Sequence, residues 1–91
     1  MYQKHVTVLN PTGLHARPAS DFVALAKTFP CKIKIRDLIS DEPPVNAKSI
    51  VMLLSLGLAQ GAQAELSADG ENERQAVDEL AALIASGFGE L

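Results

Sequence analysis

The apolar residues of this chain change their spacing repeatedly, from every second position to every third and fourth and back. That pattern restricts it to a mixed α and β architecture. From Tyr2 to Leu9, Lys4, Val6 and Val8 share one face and Gln3, His5 and Thr7 the other, as in a strand with one side in water. Asn10-Pro11-Thr12-Gly13 interrupts it with turn residues. From Ala16 the spacing is helical: Ala19, Phe22, Val23, Ala26 and Phe29 line one face, and Pro30 stops the run. Cys31 to Leu38 alternates again, with Ile33 and Ile35 inward and Lys32, Lys34 and Arg36 outward.

The second half is read the same way. Asp41-Glu42-Pro43-Pro44 is an acidic, proline-stiffened turn beside a short extended piece. Lys48 to Leu56 is apolar on nearly every side and ends at Gly57, as a short helix does. Ala62, Ala64, Leu66 and Ala68 form the inward set of a further strand, and Asp69-Gly70 turns the chain. Asn72 and Gln75 have the spacing of a capping pair. Ala76, Val77, Leu80, Leu83 and Ile84 give the last helix its buried stripe. Half-polar strands of this kind predict an α+β fold: an antiparallel sheet, one face wet and the other under helices. With 91 residues and neither linker nor repeat, residues 1–91 are expected to form a single domain.

Composition narrows the function. Eight basic against eleven acidic residues give a net charge of −3, which disfavours a nucleic-acid binder held by a basic surface. The single cysteine, Cys31, cannot form an internal disulfide or a cysteine-based zinc site and suits a reducing, cytoplasmic compartment. His5 and His15 lack metal-ligand spacing, so no metal is expected. No G-x-S-x-G elbow or P-loop is present, and the longest apolar run, Ile50 to Ala62, is too short and too interrupted to span a bilayer.

The chemically loaded stretch is Thr12-Gly13-Leu14-His15-Ala16-Arg17-Pro18-Ala19. His15 falls at a helix start, where Ser, Thr, Asp and Asn are the usual caps. Pro18 sits in the first turn, where an amide hydrogen has no intrahelical partner. An imidazole titrates near neutrality, so its neutral form is available as a nucleophile. A phosphoryl group on it would face the backbone N–H groups of Ala16 and Arg17, favoured by the helix dipole by roughly 0.3–1 kcal/mol. The Arg17 guanidinium adds a fork suited to phosphate oxygens. On cap logic alone, a polar surface histidine is the commoner case.

Gly13-Leu14-His15-Ala16-Arg17-Pro18-Ala19 closely resembles the phosphorylation motif of the HPr family, histidine-containing phosphocarriers of the bacterial phosphoenolpyruvate:sugar phosphotransferase system. Lys48-Ser49-Ile50 and Ser55-Leu56-Gly57-Leu58 resemble its second signature, and the order of elements agrees along essentially the whole chain. The resemblance implies an open-faced β-sandwich, with three helices on one face of a four-stranded antiparallel sheet. It implies that His15 accepts a phosphoryl group at Nδ1 from enzyme I, which phosphoenolpyruvate charges, and passes it to IIA components of sugar permeases. Arg17 would stabilise the group. Such a protein is a carrier with a phosphohistidine intermediate rather than an independent catalyst, needs no cofactor, and is expected to be monomeric.

Ser49 is, from its position alone, an ordinary N-cap residue, with Asn46 as a competitor. By resemblance it matches the regulatory serine modified by HPr kinase/phosphorylase, which makes regulation through phospho-Ser49 part of the expected function. The alternative is a mainly regulatory protein in catabolite or nitrogen control. The helix after Ser49 is apolar all round yet lies on an open sandwich, so part of it must stay exposed and suit protein partners. By resemblance Ile50, Val51 and Leu54 meet enzyme I, the kinase and a catabolite-control transcription factor. One departure is the segment Leu38 to Pro44, a few residues longer than in compact family members, which leaves the third strand the least defined element.

Overall fold

The computed structural model describes residues 1–90. In chain order the elements are β1 (Tyr2–Thr7), α1 (Ala16–Ala26), β2 (Lys32–Asp37), β3 (Val45–Asn46), α2 (Ile50–Ser55), β4 (Gln63–Asp69) and α3 (Glu73–Ala85), followed by a turn over Gly87–Gly89. The strands form one sheet in the order β1-β4-β2-β3, with every neighbouring pair antiparallel. The α+β open sandwich is the observed architecture.

Register explains why one face is dry. Val6 lies opposite Ala64, and Ile33 and Ile35 lie opposite Ala68 and Leu66. Ile33, Ile35, Ala64, Leu66 and Ala68 are buried, with Phe22, Leu53, Val77, Leu80 and Ile84 in the same core under the helices. The alternate residues Gln3, His5, Lys32 and Lys34 are exposed on the open face. Glu65 joins two strands there, accepting hydrogen bonds from Arg36 Nε at 3.0 Å and meeting His5 Nε2 at 3.0 Å. The third strand is only Val45–Asn46, paired with Ile35 and Lys34, because the Asp41-to-Pro44 turn occupies the positions before it.

Three local expectations are corrected. The first helix ends at Ala26 rather than reaching Phe29. Pro30 cannot continue a helix, and the chain before it tightens: Thr28 N donates to Leu25 O and Phe29 N to Ala26 O. Asn72 and Gln75 do not form a capping pair. Asn72 is left-handed, with φ 64°, and its side chain makes no cap bond, while Glu73 Oε1 accepts from Gly70 N at 3.1 Å and Gln75 reaches Glu79. On α3, Ala81 joins the buried stripe and Leu83 is only half-buried.

Candidate functional site

The loop between β1 and α1 is built before it reaches His15. Asn10 to Gly13 is a turn closed by Gly13 N donating to Asn10 O at 3.1 Å, with Pro11 at the position where its fixed φ fits. Gly13 has φ +68°, and a Cβ there would lie 2.5 Å from Leu58 O and 2.8 Å from Ala59 Cα. Only glycine allows this approach to the chain after α2. Leu14 is fully buried, and its N–H donates to Leu58 O at 2.9 Å.

His15 then emerges as the N-cap of α1, with extended backbone, an exposed side chain and no side-chain cap bond. Ala16, the first helical residue, has φ +52°, a left-handed conformation that costs a residue with a side chain about 1–2 kcal/mol. It persists because both flanks are held: Leu14 on one side, buried Pro18 and Ala19 on the other. The N–H groups of Ala16 and Arg17 are in the first turn, where the helix supplies no acceptor, and Pro18 has no N–H. Arg17 is exposed and, among the described residues, makes no ion pair. The arrangement can present an imidazole to an incoming protein, with two amides and a guanidinium on the adjoining helix turn.

Ser49 caps α2, its Oγ accepting from Met52 N at 3.3 Å. Asn46 caps nothing in α2; its Oδ1 accepts from Lys48 N at 2.9 Å. The two candidate sites lie at opposite ends of α1. Leu58, just past α2, holds Leu14 at the start of α1, whereas Lys48 Nζ donates to Phe29 O at 2.6 Å beyond its end. The 11 residues of α1 span roughly 16 Å at 1.5 Å per residue. Ile50 closes a shallow groove of about 290 Å³ with Ser20, Val23, Ala24 and Lys27. Val51 is 71% exposed and Leu54 41%, while Leu53 between them is fully buried, so the patch is the outer side of a helix anchored by one residue.

Spacing did not single out the two residues that frame the loop from the far side. Asn10 is fully buried, and its Nδ2 donates to Gly13 O at 2.8 Å, Glu90 Oε1 at 3.2 Å and Thr12 Oγ1 at 3.3 Å. Glu90 also accepts from Thr12 Oγ1, at 2.9 and 2.8 Å to its two oxygens, and from Thr12 N at 3.4 Å. A contact across 80 positions leaves no local pattern.

The family description "PTS HPr component phosphorylation site" matches residues 2–86. The chain belongs to the HPr family. The phosphocarrier protein HPr of Haemophilus influenzae is 45% identical over 84 residues, covering 92% of this chain and 95% of that protein. The crystal structure of HPr-C-His from Thermoanaerobacter tengcongensis superposes with a TM-score of 0.93 at 44% identity, covering 100% of this chain and 99% of that one. Crh, the catabolite repression HPr of Bacillus subtilis, is 39% identical with a TM-score of 0.65, over 91% of this chain and 95% of Crh. In a longer relative, the multiphosphoryl transfer protein of Haemophilus influenzae, the chain spans only 17% of the length. HPr membership supports a phosphocarrier role in the phosphotransferase system. Among the described residues, no helix is long and apolar enough to cross a membrane.

Proposed function

We propose that this chain acts as a single phosphocarrier unit in the cytoplasm, taking a phosphoryl group on His15 from phosphorylated enzyme I and passing it to IIA components of sugar permeases. The Nδ1 lone pair of neutral His15 forms the new P–N bond. The bond to enzyme I breaks, and its electron pair stays with the enzyme I residue. The same exchange run towards a IIA acceptor returns His15 to its neutral form. The observation that carries the reading is an exposed imidazole at the N-cap of α1, beside two first-turn amides and the Arg17 guanidinium. Arg17 offsets charge on the transferring group, and the Ala16 and Arg17 amides receive its oxygens. The exposed side of α2, with Ile50, Val51 and Leu54, adjoins this surface and gives a protein partner an apolar footing.

Incubation with enzyme I, phosphoenolpyruvate and magnesium should add one acid-labile phosphoryl group, read by intact mass, and His15→Ala should abolish it. Persistence of the adduct in that variant would refute the reading.

Regulation at Ser49 is the second element of the proposal. It is supported by the position of Ser49 on the same α1–α2 surface, at the other end from His15, and by the likeness to Crh. A phosphate there adds about −1.5 to −2 charges next to the apolar patch, and opposes docking of partners that cover both ends of α1. HPr kinase/phosphorylase and a catabolite-control transcription factor are the partners this predicts. An acid-stable adduct formed with the kinase and ATP, lost in Ser49→Ala, tests it.

A further inference from the structure

The turn that ends the described chain is strained without any local reason. Gly87, Phe88 and Gly89 all have positive φ, 69°, 55° and 80°, and Phe88 is a bulky residue in a conformation that side chains disfavour. What this left-handed path achieves is the placement of Glu90 against Asn10 and Thr12, 80 and 78 positions away. Phe88 packs on the core and anchors the turn.

The consequence reaches one peptide unit. The Gly13–Leu14 peptide is pinned on both edges: its carbonyl accepts from Asn10 Nδ2 at 2.8 Å, and its N–H donates to Leu58 O at 2.9 Å. His15 follows directly. The Leu58 contact belongs to the backbone, but the Asn10 contact depends on how its side-chain amide is turned. Among the described residues Asn10 Oδ1 is buried and has no hydrogen-bond partner, so none of them holds that amide from the oxygen side. Its orientation rests on the acceptors around Nδ2, which are Gly13 O, Thr12 Oγ1 and Glu90 Oε1. Glu90 serves two of these, since it also takes the Thr12 hydroxyl proton. The Thr12 hydroxyl, donating to the Glu90 carboxylate, holds that carboxyl below the usual carboxylate range.

We propose that Glu90 is a positioning residue for His15, acting through Thr12 and Asn10 on the Gly13–Leu14 peptide. The inference rests on His15 being the phosphoryl acceptor. Without Glu90 the Asn10 amide keeps only Gly13 O and a Thr12 hydroxyl that is free to turn, so one of the peptide's two pins loosens and the imidazole is presented over a wider range of orientations. Misplacement of a reacting group by ~1 Å can lower a rate by about 10²-fold, and loosening of one pin should cost about fivefold to twentyfold. The loss belongs to turnover rather than to docking, because every hydrogen bond of the Glu90 side chain goes to Asn10 or Thr12, behind the imidazole.

The test uses the full chain as a substrate of enzyme I, with Glu90→Ala, Glu90→Gln and Ala82→Gly compared with wild type. Ala82 is exposed on α3 and is none of the residues bonded around Asn10, so its glycine variant lowers stability without removing a bond of the clamp. Glu90→Ala should lower kcat by about fivefold to twentyfold with KM within about twofold, and should speed hydrogen exchange of the Leu14 amide. Glu90→Gln keeps an acceptor oxygen and should recover most of the rate, while Ala82→Gly should leave kcat unchanged. Unchanged kcat in Glu90→Ala, an equal loss in Ala82→Gly, or no recovery in Glu90→Gln would each overturn the proposal. Absence of any adduct on wild type would overturn the His15 reading as well, which separates the two failures.

Discussion

Replacing Gly13 by alanine tests whether close backbone approach holds the loop that leads into His15. Three effects act. A Cβ at φ +68° costs about 1–2 kcal/mol. The new methyl would sit 2.5 Å from Leu58 O and 2.8 Å from Ala59 Cα, both backbone atoms, so the two segments must separate, a packing strain of about 1–3 kcal/mol. That movement also stretches the 2.9 Å bond from Leu14 N to Leu58 O, worth about 0.5–1.5 kcal/mol net. Against these, alanine lowers the entropy of the unfolded chain by about 0.4–1 kcal/mol. The expected loss is about 2–4 kcal/mol. Gly57 supplies the internal control: its φ is +63°, but a Cβ there meets nothing within 4 Å. Gly57→Ala should therefore lose only about 0.5–1 kcal/mol. Urea denaturation with unchanged m-values measures both. If the two variants differ by less than about 0.5 kcal/mol, the close approach is not what selects glycine, and the reasoning fails. Gly13→Ala should also slow phosphorylation of His15, whereas Gly57→Ala should not.

Three further outcomes follow from the geometry. Ser49→Ala removes the N-cap of α2, and because the bond is long at 3.3 Å, the cost should be about 0.5–1 kcal/mol by denaturation; no measurable cost would mean the hydroxyl does not cap. Ala16→Gly relieves the φ +52° conformation against a gain in unfolded-state freedom, so it should be neutral or stabilising by up to about 1 kcal/mol; a loss above that would show Ala16 to be unstrained. The Arg36 guanidinium, and after it His5, holds the Glu65 carboxyl below the ordinary range. Its folded pKa is thus the lower one, so the contribution is complete above the unfolded value, near about 4, and is lost as pH falls through the folded one. The urea midpoint should drop on that acid limb, and less steeply in Glu65→Gln; parallel limbs would sink this assignment.

Most of the strands and helices were legible because they have one wet and one dry face. Val6, Val8, Ile33, Ile35, Ala64 and Leu66 alternate, and Phe22, Val23 and Ala26 recur at helical spacing, so local pattern and global burial coincide. The places of His15 and Ser49 at helix starts were legible for a different reason: each lies in a short run of contiguous residues that opens a helix. Errors fell where a nearer or more distant competitor prevailed. The expected Asn72–Gln75 capping pair does not form, Glu73 accepting instead from the Gly70 amide, and Ala81 proved deeper in the core than Leu83. Neither choice changes the binary pattern, so neither could be read from it.

By itself the sequence determined which segments are strands and helices, which side of each is dry, and which histidine stands at a helix start. Those properties depend on residues a few positions apart, and hydrophobic periodicity reports them directly. Only the tertiary structure decided that Ser49 and His15 occupy opposite ends of α1, that Gly13 must be glycine because Leu58 and Ala59 press against it, and that Glu90 reaches back to Asn10 and Thr12. These depend on how segments separated by 19 to 80 positions are brought together by the burial of a shared core. Spacing along a chain carries no record of such contacts.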